Sequence, residues 1–394
     1  MNNKLFLSAV LAACMYCAQP THSQVVDESV ISADQTYSAR ALAMGGAYTA
    51  IAYEYSALYW NPACLAGLRR NEMHLSMGYN RKQNSASDAV GYSGEKTISQ
   101  ITLNSIGFAH PFAVSQGSFV FALGYSRTKD FLDILSMTRK NPSNFLDAQS
   151  DGHLSNWEIG LGIDISENIS FGGKFSLITG GEDFSQQTLS LKKSSIDDYF
   201  GIGLDAGLQF RLSDKIVSGL NIDYTPYLLA SRTYTEEDDS LVYRYTPDTT
   251  VFTMPLRFTF GLAYTTVPLT VSLDVGYKNW QGLKVVVNNE SVQYADDLQN
   301  TVRVGAGVEW ILPFFPAKLR IGSGYQQQPY TKIKQNSMPL YYTGGLGFLV
   351  DRVLSIDIGG CYSSIETENA YANTYRLQET MTTSRMVLTL AYRF

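Results

Sequence analysis

Apolar and polar residues take turns along most of this chain. In VFTMPLRFTFGLAY, residues 251–264, Phe252, Met254, Leu256, Phe258, Phe260, Leu262 and Tyr264 share one phase, and Thr253, Pro255, Arg257, Thr259, Gly261 and Ala263 the other. Successive side chains of a strand point to opposite faces, so this spacing predicts a strand between an apolar and a polar medium. Leu269, Val271, Leu273, Val275 and Tyr277 repeat the phase, as do Val302, Val304, Ala306, Val308 and Trp310. Each run ends on an aromatic, the residue type found where a strand leaves hydrocarbon for the headgroup layer. About fourteen such runs occur, near 71–80, 99–112, 117–128, 153–165, 168–179, 198–212, 215–229, 250–264, 268–278, 301–312, 317–326, 339–350, 352–363 and 382–394. Most reach the roughly 9–11 residues a tilted strand needs to cross a bilayer.

The connections alternate between two kinds. Short ones fall at 113–116, 166–168, 213–214, 265–267, 313–316 and 351, and long ones at 81–98, 129–152, 180–197, 230–249, 279–300, 327–338 and 364–381. Short turns on one side and long loops on the other are the habit of an outer-membrane barrel, with the long set outside. A soluble β-sandwich has no reason to keep that order. The final strand, Met386 to Phe394, puts Leu388, Leu390, Tyr392 and the terminal Phe394 in one phase. That ending looks like the last strand of bacterial outer-membrane proteins. The predicted fold is therefore all-β, a fourteen-stranded antiparallel transmembrane barrel over residues 71–394.

Composition agrees with this picture. Aromatics make up 12% of the 394 residues, with Tyr 26 and Phe 19, and charged residues only 17%, below the roughly 25% of soluble proteins. A formal net charge of -6 argues against a nucleic-acid partner, because such surfaces carry basic stripes. Beyond the first residues no run of about 18 apolar residues occurs, so no membrane-spanning helix is expected. MNNKLFLSAVLAACMYCAQPTHSQ, residues 1–24, has a lysine, an apolar run and a polar end, the layout of an export signal. Cleavage near Ser23 or Gln24 competes with lipoprotein processing at Cys14, since Leu11-Ala12-Ala13-Cys14 resembles a lipoprotein box. Cys64 and Cys361 would remain in an oxidising compartment, as a pair or as two buried thiols.

Residues 25–70 precede the first strand and are too apolar for a tail. SARALAMGGAYTAIAYEYSALYWNPACLAGL is rich in Ala and Gly with few charges, so it expects burial. Asn61 suits an N-cap, Pro62 the first helical position and Gly67 a left-handed stop, predicting a short helix from Pro62 to Ala66. Ser38 to Met44 could form another turn, ended by Gly45-Gly46. Such a segment would plug the barrel, with Arg257, Asp274, Arg303, Glu309, Arg320 and Asp357 on the polar phase offering partners to its backbone.

SARALAMGG followed by YSALYWNPACLAGL resembles the N-terminal hatch of the FadL/TodX-type outer-membrane transporters, which import long-chain fatty acids and aromatic hydrocarbons. Asn61, Pro62 and Ala63, after Tyr59 and Trp60, match the family's Asn-Pro-Ala motif, and Cys64 stands where a glycine is common. The specific match covers residues 38–68. The resemblance implies fourteen strands and a route without covalent chemistry. An apolar molecule lands among external loops, enters the barrel, and leaves sideways into lipid when the hatch shifts. Transfer into hydrocarbon is favourable by roughly 25 cal/mol per Å² of apolar surface, so no energy source is needed. A PorV-like branch of the same superfamily serves protein secretion as an adaptor, and SARALAMGG and WNPA are at least as similar to it as to the importers, which leaves secretion-machinery proteins open as partners.

A lateral exit needs an interrupted ladder. Ile101 and Leu103 share one phase and Ile106 and Phe108 the opposite one, which places a register change at Asn104-Ser105, and Gly172-Gly173 is a second candidate. An ordinary bulge, or a glycine making room for the plug, explains either more simply than an exit does. Phe131, Leu132, Ile134, Leu135 and Phe145 are candidates for a ligand landing groove. Other signals carry little. Gly201 to Gly207 lies in a period-two strand without a following helix, so it is not a phosphate loop. Glu236, Glu237, Asp238 and Asp239 suit a solvated loop tip better than calcium, and His74, His110 and His153 have no ligand spacing. No catalytic residue, metal or cofactor is expected. The reading is an outer-membrane channel for passive uptake of small hydrophobic compounds, whose partners are membrane lipid and the ligand, with the secretion adaptor as alternative.

Overall fold

The computed structural model describes residues 37–394 apart from 89–90, 140–144, 239–240, 246, 293–297, 332 and 372–374, and of 139, 369–371 and 375–376 the backbone alone. The export segment, with Cys14, and residues 25–36 lie outside the described residues. Among those described, fourteen antiparallel spans form one closed wall. In chain order they are Glu72–Asp88, Tyr92–Phe112, Phe119–Asp130 continued by Asp133–Arg139, Phe145–Ser166, Ile169–Thr188, Leu191–Arg211, Ile216–Asp238, and Asp248–Thr253 continued by Arg257–Thr265. The rest are Leu269–Lys278 continued by Lys284–Val287, Thr301–Ile311, Ala317–Gln326, Leu340–Val350, Leu354–Tyr371 and Tyr375–Arg393. The last span pairs with the first, Glu72 opposite Arg393 and Met73 opposite Tyr392, which closes the cylinder and leaves no edge.

The alternation has the outcome its period implies. Ile101, Leu103, Ile106, Trp157, Ile159, Phe175, Leu177, Phe260 and Leu388 face outward at 39–74% exposure, while the opposite phase buries Glu158, Asp274, Glu309, Arg320 and Asp357. Charge inside and hydrocarbon side chains outside is stable only where the surroundings are themselves hydrocarbon. A closed barrel with such a belt is an integral membrane protein of the outer-membrane type.

Two expectations from the sequence need correction. Much of the predicted external loops is strand, since four walls run 17 to 23 residues and carry 81–88, 92–98, 180–188 and 230–238 within them. Outside the bilayer both faces of a strand meet polar surroundings, so the contrast that marks a strand in the sequence fades. In 251–264 the phase also does not hold. Phe252 and Met254 are buried inside whereas Leu256, Phe258, Phe260, Leu262 and Tyr264 face outward. The span is interrupted from Met254 to Leu256, where Pro255 has no N–H for the ladder, and the chain changes face there.

Candidate functional site

The segment 37–68 fills the lumen. Helix α1 (Ala39–Ala43) ends where Gly45 and Gly46 take φ of +64° and +68°, a conformation that glycine adopts without strain. Helix α2 (Ala57–Trp60) leads into a 3-10 turn, Pro62–Gly67. The side-chain oxygen of Asn61 accepts the Ala63 N–H at 3.1 Å, and its amide donates to the carbonyls of Thr49 at 2.9 Å and Leu208 at 3.0 Å. One asparagine thus caps the turn, ties two passes of the plug together and fastens them to the wall. Pro62 follows at the first helical position. Gly67 is not the expected left-handed stop: the chain leaves through Leu68 in extended form, and Gly67 is small because a Cβ would stand 2.3 Å from the Tyr53 ring.

Wall side chains hold this segment from two sides. Asp274 Oδ2 accepts the Tyr48 N–H, the Thr49 N–H (2.9 Å each) and the Thr49 hydroxyl (2.6 Å). Arg303 donates to the Gly46 carbonyl at 2.6 Å and the Tyr341 hydroxyl to the Gly45 carbonyl at 2.9 Å. Arg40 forks onto Glu309 at 2.8 and 3.0 Å, and Arg320 joins the same carboxylate at 2.7 Å and Asp357 at 2.5 Å. Across the lumen the fit is by shape: a Cβ at Gly172 would meet the Pro62 backbone at 2.2 Å, and one at Gly207 would meet the Asn61 side chain at 2.0 Å. Gln209 donates to the Ala50 carbonyl at 2.8 Å.

Within the plug, burial would raise the Glu54 carboxyl, but Arg40, His74 and the hydroxyls of Ser38 (2.6 Å) and Ser56 (2.7 Å) outweigh it and hold Glu54 below the ordinary carboxylate value. Burial pushes the Cys64 thiol up to about 12 and the Tyr53 phenol up to about 12. Cys64 and Cys361 are both free thiols.

Above the plug lies a chamber of about 660 Å³, floored by Tyr59 and Trp60, within the range of small-molecule sites. Arginines stand over that floor, Arg257 5.6 Å from the Tyr59 ring centre and Arg303 5.1 Å from that of Trp60, and Lys278 lies 4.1 Å from Trp280. Arg385 lines the chamber too, and its Nε is buried without a hydrogen-bond partner. Leu132, Ile134 and Leu135 supply apolar lining from one wall. Phe131 is buried beside them in a cluster with Leu154, Tyr199, Leu228, Phe252 and Met254, and Phe145 opens the next span opposite Thr138, away from that lining.

The third span explains how supposed loop residues reach the lumen. It pairs with the second from Phe119 to Ser126, opposite Phe112 to Ser105, and meets it again only where Thr138 and Arg139 face Ser93 and Tyr92. Between those pairs it bends inward. Lys82 Nζ reaches the Leu132 carbonyl at 3.0 Å, and the Asn84 amide the Ile134 carbonyl at 2.8 Å, both from the first span. Among the described residues, the second span therefore has no ladder partner on that side from Gly94 to Asn104, and the buried amide nitrogens of Gln100 and Asn104 are unsatisfied. Asn104 is itself the bulge residue: Ser76 faces Ser105 and Met77 faces Leu103. Asn104-Ser105 thus sits at the lower end of the interruption. At Gly172-Gly173 the ladders run unbroken to both neighbours.

Sequence reasoning did not find Arg385 as a chamber residue or the inward bend of the third span. The one hint of the bend was Phe131, Leu132 and Ile134, three apolar residues in a stretch otherwise read as external loop.

No family model and no curated protein matches the chain. Solved structures do. The toluene transporter TodX of Pseudomonas putida is 17% identical with a TM-score of 0.70, covering 91% of this chain and 98% of its own. A FadL homologue of Pseudomonas aeruginosa is 14% identical with a TM-score of 0.67 over 91% and 98%. The toluene transporter TbuX of Ralstonia pickettii is 15% identical with a TM-score of 0.61 over the same shares, 91% and 98%. This chain therefore has the fold of the FadL/TodX-type outer-membrane channels, a fourteen-stranded barrel stopped from within by its own N-terminal segment.

Proposed function

We propose that this barrel is a passive channel for small hydrophobic compounds, and that its preferred ligands are amphipathic, with an apolar body and one acidic end. The interruption between the second and third spans, beside a chamber of about 660 Å³, is the observation that carries this reading. A ligand in the chamber would lie against Leu132, Ile134 and Leu135, and the missing ladder between the second and third spans supports a way out through the wall beside them. In this reading the side exit lies along the stretch of the second span that has no ladder partner, with Asn104 and Ser105 at its lower lip. Transport toluene is said of two structural neighbours, and a neutral aromatic would fit the apolar lining. The unpartnered Nε of Arg385, with Arg257 and Arg303 over the aromatic floor, supports an anionic end instead. A buried guanidinium N–H lacking an acceptor is destabilising until one arrives, and a carboxylate is the acceptor whose geometry suits it.

Uptake by proteoliposomes tests this, with a labelled long-chain carboxylate set against the hydrocarbon of equal length. The carboxylate should enter faster, and Arg385→Met should lower its uptake about tenfold, the loss of one charge-assisted hydrogen bond, while leaving the hydrocarbon unchanged. Equal rates for both compounds would remove the acidic end from the reading. Purification with a stoichiometric polypeptide and no small ligand would overturn uptake itself in favour of the adaptor.

A further inference from the structure

We infer that the short-turn rim carries a binding site for an anionic glycerophospholipid, built where the first and last spans close the barrel. Three arginines stand exposed there. Arg69 and Arg70 lie just before the first span, and Arg352 is in the tight turn between the twelfth and thirteenth. Arg70 donates to the Arg352 carbonyl at 3.3 Å, so two of the three guanidinium-bearing residues are neighbours although 282 positions apart. None of the described ion pairs involves them. The nearby carboxylate of Glu72 is buried and occupied by Arg393 at 2.7 Å.

Directly above this fringe the ladder sets an apolar row across five spans. Val350 pairs with Leu354, Leu354 with Tyr392, Tyr392 with Met73, and Met73 with Phe108. Val350, Tyr392 and Met73 are 44%, 47% and 55% exposed, and the Tyr392 ring stacks on that of the terminal Phe394 at 5.7 Å. The row faces hydrocarbon and the arginines sit one turn lower, at headgroup depth.

Charge complementarity selects the occupant. The chain as a whole is acidic, with a net charge of -6, yet at this corner the exposed arginines outnumber the one exposed acid of the same turn, Asp351. A zwitterionic headgroup brings its own cation and gains little from them, whereas a phosphatidylglycerol headgroup brings only the phosphate. Basic fringes beside an apolar surface attract anionic lipid for this reason. Acyl chains would lie along Val350, Tyr392 and Met73 with the phosphate between Arg70 and Arg352, on the short-turn side of the barrel.

The test is native mass spectrometry of the whole protein extracted from nanodiscs holding equal dioleoyl phosphatidylglycerol and dioleoyl phosphatidylcholine. Wild type should retain phosphatidylglycerol at least tenfold over phosphatidylcholine. Arg70→Gln with Arg352→Gln should abolish the preference while keeping the heat-modifiable mobility of a folded barrel. Lys192→Gln, an exposed change near the other end of the barrel, should leave it intact. Equal retention of the two lipids, or an undiminished preference in the double variant, would overturn the site. Displacement of the lipid by millimolar inorganic phosphate alone would also overturn it, marking a free-anion site instead.

Discussion

Replacing Asp274 by alanine should release the plug from the wall. Its Oδ2 accepts three hydrogen bonds from Tyr48 and Thr49, and the side chain is 1% exposed. Two of the three donors are backbone N–H groups, and each would be left unsatisfied at a cost of about 1–3 kcal/mol. Water entering the lumen offsets part of that, and the lost desolvation of the carboxylate offsets more. A net loss of about 3 kcal/mol is then expected, which moves the closed-to-open equilibrium by about two orders of magnitude. Cys64 gives the assay. Its thiol is buried and pushed up to about 12, so at pH 8 only about one molecule in ten thousand is a thiolate, and maleimide should react very slowly. Asp274→Ala should speed labelling of the Cys64 peptide about a hundredfold and raise the conductance of single barrels in planar bilayers. Cys361 is followed separately by peptide mapping. If both readouts match wild type while the barrel keeps its heat-modifiable mobility, Asp274 is not an anchor and the hydrogen-bond argument for the plug is wrong.

Gly172→Val should open the plug from the other side, because its Cβ would meet the Pro62 backbone at 2.2 Å; overpacking of this kind costs about 1–3 kcal/mol. Gly173→Val is the control, since a Cβ there meets only a carbonyl at 3.9 Å, and equal conductance in the two variants would refute the packing account. The acid response should trace to Glu54, whose carboxyl is held below its ordinary value by Arg40, His74, Ser38 and Ser56 against the opposing effect of burial. A depressed folded value adds stability that is complete above the unfolded pKa and lost as pH falls through the folded one. Conductance should therefore stay flat from pH 8 to about 5 and rise below about 4.5, the ordinary carboxylate range. Glu54→Gln should flatten that rise, and an unchanged acid response in the variant would place the trigger elsewhere.

The wall was legible because hydrocarbon imposes a strict contrast on the outer face. Val271, Leu273, Val275 and Tyr277 could be placed outward, and Asp274 inward, without any coordinates. Beyond the bilayer the contrast vanishes, so the outer part of Tyr92–Phe112 read as loop although it is strand. The plug was legible for a related reason: a stretch of Ala, Gly and aromatics with few charges has to be buried somewhere. Which atoms hold it was not, because the Asp274 and Glu309 contacts join residues more than two hundred positions apart. Pro255 and the Phe131 to Ile134 run were visible, but whether such features break a ladder or bend a strand inward depends on neighbours the local pattern does not contain.

The distribution of anchors also says how far the plug has to move. Residues 39–49 are tied by charge and hydrogen bonds to the spans carrying Asp274, Arg303, Glu309, Thr343 and Thr389. Residues 62–67 instead fit by shape against the glycine-bearing spans near Gly172 and Gly207. Drug-sized ligands gain about 0.3 kcal/mol per heavy atom, so one of twenty atoms has about 6 kcal/mol to apply. Detaching the Arg40, Glu309, Arg320 and Asp357 chain along with the Asp274 site would cost more than that, since breaking one buried ion pair alone costs about 3–5 kcal/mol. Turning the half-buried Tyr59 away from Arg257 gives up about 1–2 kcal/mol of cation–π contact, whereas Trp60 is buried in the plug's core and stays with it. For the proposed uptake this means that a ligand would need to move only the Tyr59 side of the floor beside the interrupted ladder, and would leave the charged half of the plug fastened.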